Sequence, residues 1–137
     1  METKIDKLIE QAVAARHKAY APYSHFKVGA ALLTNDGAIF SGCNVENASY
    51  GLCICAERNV VCQAIAHGQR DFFAIVVAAT PWAAPCGACR QFLVEFGQDF
   101  QVISVDANDL SSRKTWKIGE LIPENFSLDQ PGRKNDD

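Results

Sequence analysis

A chain of 137 residues with 48% hydrophobic and 21% charged side chains can form one domain. A domain of that size buries about two-thirds of the surface its unfolded chain exposes. The net charge of −3 offers no basic footprint for long nucleic acid, and no apolar run approaches the roughly 20 residues of a membrane span. These properties suit a globular protein that handles a small, neutral or weakly polar molecule.

Ile5, Leu8, Ile9, Ala12, Val13 and Ala19 fall at helical spacing, so an amphipathic helix is expected from about residue 4 to residue 20. Thr3 with Asp6 reads as its capping pair. The first ten residues mix Lys and Glu with scattered Ile and Leu, which is neither a secretory signal nor a transit peptide. The expected location is the cytoplasm, where thiols stay reduced. Six cysteines there point to metal or catalysis before disulfides.

Ala21-Pro22-Tyr23-Ser24 ends the first helix. The apolar runs Val28 to Thr34 and Ala38 to Cys43 flank Asn35-Asp36-Gly37, a hairpin signal with Asp-Gly at the turn. Residues 44 to 53 read as a loop. A helix from about Cys55 to His67 stops at Gly68, a suitable cap. Phe72 to Ala79 is a nearly unbroken apolar run, as expected of a strand buried on both faces. After a loop from Thr80 to Pro85, Cys86 to Phe96 reads as a helix closed by Gly97, and Gln101 to Asp106 as a strand. Thr115 to Ile118 is expected as a short edge strand and Gly119 to Leu121 as a brief helix before Pro123. Strand and helix alternate from residue 55 onward, the pattern of a layered α/β domain spanning 1–137, with 129–137 as a polar, frayed tail.

Two segments carry the chemistry: Cys55-Ala56-Glu57 and Pro85-Cys86-Gly87-Ala88-Cys89. They match the signature of zinc-dependent deaminases, in which His or Cys fills the first position. Cys86 and Cys89, three apart at the start of a helix, turn both thiols to one side. With Cys55 they make three ligands, leaving the fourth tetrahedral position free for water, the arrangement of a catalytic zinc. Helix N-termini stabilise thiolates. Three thiolates leave the centre with one negative charge in excess, which Arg58 could offset by donating hydrogen bonds to ligand sulfurs. Glu57, two residues from a ligand, is placed to take a proton from the activated water.

Other readings of the same residues stand beside these. A lone C-x-x-C also suits a redox pair, and Cys53, Cys55, Cys86 and Cys89 could close a structural four-thiolate site. Arg58 could be a solvated helix residue. Cys43 and Cys62 read as small buried hydrophobes. His17, His25 and His67 belong to no metal pattern.

With those residues in place, the chain closely resembles the short, homotetrameric cytidine deaminases. The matching blocks are Tyr20-Ala21-Pro22-Tyr23-Ser24, Phe26-Lys27-Val28-Gly29-Ala30-Ala31-Leu32, Gly42-Cys43-Asn44-Val45-Glu46-Asn47-Ala48, Cys55-Ala56-Glu57-Arg58 and Pro85-Cys86-Gly87-Ala88-Cys89-Arg90-Gln91. The resemblance implies a three-layer α/β/α sandwich around a five-stranded mixed sheet. It implies one zinc per chain and hydrolytic deamination of cytidine and deoxycytidine, in pyrimidine salvage. It places Phe26 against the pyrimidine, Asn44 and Glu46 on the ribose hydroxyls, and the Ala56 backbone with Glu57 on the base edge. It also gives Tyr50 and Phe126 to a neighbouring subunit's site. Two rivals remain: a deaminase of another small aminopyrimidine or of single-stranded nucleic acid, and a non-catalytic zinc module for protein contacts.

Overall fold

Leu8, Ile9 and Ala12 line one stripe of the first helix, α1 (Glu2–Arg16), and that stripe is buried against the sheet. The approach is so close that a Cβ on Gly29 would lie 2.1 Å from the Ala12 carbonyl oxygen, so only glycine fits beneath the helix. The computed structural model describes residues 2–128, with side chains from residue 4 onward. The frayed tail expected at 129–137 lies outside the described residues.

The helix differs at both ends from the expected span. It already includes Thr3, which therefore is not its cap. It stops at Arg16, four residues early. His17, Lys18 and Ala19 donate to carbonyls three residues back, a tightened last turn. The chain then leaves the helix so that Tyr20 can pair with Val45, through Tyr20 N to Asn44 O and Glu46 N to Tyr20 O.

Strands β1 (Gly29–Thr34) and β2 (Ile39–Cys43) form the expected hairpin, with Gly37 at φ +94° in its turn. Helix α2 (Ala56–Ala66) ends at a left-handed Gly68, and β3 (Phe72–Ala79) follows. Helix α3 (Gly87–Val94), β4 (Gln101–Asp106), β5 (Asp109–Lys117) and the short α4 (Ile118–Leu121) complete the order. β5 is more than twice the length expected. It is mostly exposed and polar, with only Ser112 and Trp116 half-buried, so it carries neither clear alternation nor an apolar run to betray it.

The five strands lie in the order β2-β1-β3-β4-β5, with β3 and β4 parallel and every other pair antiparallel. Successive residues of β1 serve opposite faces: Ala31 and Leu33 meet α1, while Ala30 and Leu32 meet α2. One core joins Leu8, Ile9 and Ala12 to Val76, Ile103 and Val105. The other joins Val60, Val61 and Leu93 to Ile75, Val102 and Ile118. The result is the expected three-layer α/β/α sandwich with a five-stranded mixed sheet, which leaves the N-termini of α2 and α3 free to build a site.

Candidate metal centre

Cys55 and Cys86 occupy equivalent places: each is the N-cap of its helix, with extended backbone. The Cys86 sulfur accepts from Cys89 N at 3.4 Å, so it caps α3 while facing Cys55. Cys89 sits one turn along and is buried; Cys86 is exposed and Cys55 half-buried. The three sulfurs lie within 4.8 Å of one another, with Cys55 and Cys86 4.0 Å apart. That is about twice the roughly 2.05 Å of a disulfide bond. Zinc–sulfur bonds of about 2.3 Å in a tetrahedron put sulfurs about 3.8 Å apart, so the trio fits a zinc ion with small adjustment. Three donors from one chain leave one position open.

Among these thiols, Cys55 is the natural thiolate. The Cys89 thiol donates to it, Arg58 adds a further donor and a positive charge, and together they pull Cys55 down to about 5. Cys89, as the donor of that pair, is pushed up, with burial and Glu57 acting in the same direction. Arg58 Nη2 reaches Cys55 Sγ at 3.5 Å and the Cys53 carbonyl at 3.4 Å, while its buried Nε has no partner among the described residues. Glu57, in the first turn of α2, is only 5% exposed. Burial, seconded by the Cys55 thiolate, raises its carboxyl to about 7.

Cys53 stands apart from the trio. Its sulfur accepts from Asn47 N at 3.3 Å and bonds the Asn47 carbonyl, so it ties the 47–53 loop and does not close a four-sulfur site. Cys62 corrects another expectation: it is exposed, because it falls on the face of α2 opposite Val60, Val61 and Ala64. Cys43 is half-buried.

Phe26 lies in the 21–28 loop, 41% exposed. Asn44 holds that loop from below, accepting from Val28 N and donating to Phe26 O, both at 2.9 Å. Glu46 does the same two residues on, accepting from Tyr23 N, Ser24 N and the Ser24 hydroxyl. The Ser24 bond holds the Glu46 carboxyl below its usual range. Each keeps spare hydrogen-bonding capacity: one N–H and one lone pair on Asn44, further lone pairs on Glu46. Ala56 is fully buried in the first turn of α2, beside Glu57. Tyr50 and Phe126 are at the other extreme, 74% and 65% exposed. The Phe126 backbone is nonetheless fixed, since its carbonyl accepts from Gln91 Nε2 at 3.1 Å.

Several supporting residues carry no motif of their own. Asn59 and Gln63 donate from α2 to the carbonyls of Cys43 and Ser41 at 2.8 Å, joining the cysteine-bearing helix to β2. Their spacing of four on the sheet-facing side of α2 is the signal that could have found them. Ser104, fully buried in β4, donates to Ala83 O at 2.8 Å and holds the loop that enters Cys86.

Residues 2–105 match the family model described as the cytidine and deoxycytidylate deaminase zinc-binding region. A cytidine deaminase from Sporosarcina psychrophila is 49% identical over 125 residues, covering 90% of this chain and 91% of that protein. The crystal structure of cytidine deaminase from Burkholderia pseudomallei superposes with a TM-score of 0.83 at 52% identity, covering 88% of this chain and 98% of that one. The cytidine deaminase structure from Mycobacterium tuberculosis gives 0.77 at 38% identity, over 90% and 98%.

Proposed function

Because the chain belongs to the cytidine and deoxycytidylate deaminase family, a zinc-binding family of hydrolytic deaminases, we propose that its three-cysteine centre works with Glu57 as the proton carrier. The reaction is the zinc-dependent deamination of cytidine to uridine and ammonia. Deoxycytidine is a second substrate on this reading, pyrimidine salvage the role and the cytoplasm the location.

Cys55, Cys86 and Cys89 would hold the zinc, which would supply the Lewis acidity that activates water for attack on C4 of the base. Glu57 takes the water's proton and delivers it to N3. Oxygen bonds to C4, which becomes tetrahedral. The same carboxylate then carries the remaining proton from that oxygen to the amino group, the C4–N bond breaks as C4=O forms, and ammonia leaves. A carboxyl held at about 7 by burial is matched to both tasks at neutral pH. That buried glutamate, two residues from a ligand sulfur, is the observation that carries the assignment.

Phe26 stacks on the pyrimidine, and the Ala56 backbone with Glu57 reads its edge. Asn44 and Glu46 use their spare hydrogen-bonding capacity on the ribose hydroxyls, which selects nucleosides over free bases. Tyr50 and Phe126 close a neighbour's site in a homotetramer. An exposed aromatic on a fixed backbone suits that role, because little entropy is left to lose on contact. The net charge of −3 argues against a long nucleic acid as partner. The test is loss of cytidine absorbance by the purified protein, abolished by a chelator and restored by zinc. Zinc-loaded protein that leaves cytidine and deoxycytidine unchanged would sink the proposal.

A further inference from the structure

The three ligands are not equally secured. Cys89 is buried within α3, and Cys55 is held by the Arg58 guanidinium. Cys86 is exposed, at a turn where loop becomes helix. The residue that grips this turn is Arg90, immediately after Cys89. Its half-buried side chain donates from Nε to Pro85 O at 2.8 Å and from Nη1 to Leu121 O at 2.9 Å. Its backbone N donates to Cys86 O at 3.0 Å.

Pro85 O belongs to the peptide unit that leads into Cys86, and Cys86 O to the unit that leads out. The Arg90 side chain therefore fixes the peptide plane that enters the exposed ligand, while the plane that leaves it is held by the helix's own first backbone bond. The bond to Leu121, a carbonyl left open at the C-terminal end of α4, anchors the guanidinium so that it cannot swing away. A planar guanidinium spans two carbonyls in fixed directions; an ammonium is a compact point donor with no such fork.

We propose that Arg90 is a positioning residue which holds the Cys86 sulfur ready for zinc. It touches neither substrate nor metal and acts through the 85–86 peptide unit. Without it, the Cys86 turn samples other orientations and the third sulfur is intermittently withdrawn.

The test is the rate of zinc release from the loaded protein into excess colorimetric chelator. Arg90→Lys and Arg90→Ala should release zinc roughly 10- to 100-fold faster than the parent, the range of other supporting residues around metal ligands. KM for cytidine should stay unchanged in the fraction that keeps its zinc. Ile103→Ala, in the core on the α1 face, is the control for general destabilisation. It should lower the melting temperature yet release zinc at the parent rate. If Arg90→Ala does not fold, Arg90→Lys decides alone. Parental release from Arg90→Lys, or equal acceleration in Ile103→Ala, overturns the inference. The inference rests on the three-thiolate zinc centre. That premise fails separately, if the parent protein itself binds no zinc.

Discussion

The metal side of the molecule and its substrate side are built on opposite plans. Cys55, Glu57, Cys86 and Cys89 stand at two helix N-termini over a buried core, and one chain supplies them all. Phe26, Asn44, Glu46 and Phe126 come from segments outside the strands and helices, and Tyr50 from a single 3-10 turn, Tyr50–Leu52. Two of them spend hydrogen bonds on their own loop, and three leave an aromatic ring in solvent. The difference teaches that the metal centre is pre-set by regular structure, whereas nucleoside recognition, as we propose it, depends on connecting segments and on a second copy.

The largest effect should come from the metal side. Glu57→Gln should keep fold and zinc while turnover falls by roughly 10^2- to 10^4-fold, the usual range for a positioned proton carrier. Turnover within tenfold of the parent would assign proton transfer to another group.

The same substitution sharpens the electrostatics of that side in the zinc-free protein. Glu57 is held up at about 7 in the fold against an ordinary 4.5, so the folded form keeps a proton that the unfolded chain releases. The stability linked to this proton is full below about 4.5 and is lost as pH rises toward 7. Glutamine does not titrate. Its stability advantage over the parent should therefore grow across that window, by on the order of 3 kcal/mol in urea unfolding. Parallel pH profiles for the two proteins would show that Glu57 ionises freely in the fold.

Arg58→Ala, still on the metal side, should weaken zinc retention and slow turnover by roughly 10- to 100-fold. Normal zinc content with normal turnover would reduce Arg58 to a packing residue. The smallest effect should fall on the substrate side. Phe126→Ala should raise KM for cytidine by roughly 3- to 10-fold, as losing one aromatic contact predicts, with zinc content unchanged. A monomer by light scattering that stays fully active at nanomolar concentration would erase the contrast between the two sides.

The same contrast governs what the sequence makes legible. β3 and β4 occupy the spans read from their apolar runs, because strands buried on both faces have little choice of residue. The cysteine segments stand out because metal chemistry restricts both residue type and spacing. β5 escaped because an exposed edge strand is free to be polar. The early end of α1 escaped because the competing partner of Tyr20 lies 25 positions away at Val45, beyond any local pattern. Asn44 and Glu46 look like ordinary loop residues, and only their block resemblance singled them out. Their grip on the 21–28 loop emerges only in three dimensions.

β5 also bears on how copies of the chain can meet. Its outer border pairs with no other strand among the described residues, and such an edge can accept a strand from a second copy. A second β5 laid antiparallel about the strand's midpoint would set Arg113 against its own copy, with Lys114 close by. Like charges directly opposed across strands oppose such pairing. That border therefore disfavours pairing with a second copy of itself, while the aromatic rings of Tyr50 and Phe126 face solvent elsewhere. A β5 border paired with its own copy would use the same edge twice and stop at two copies, so the larger assembly proposed here has to be built through other surfaces, such as those rings.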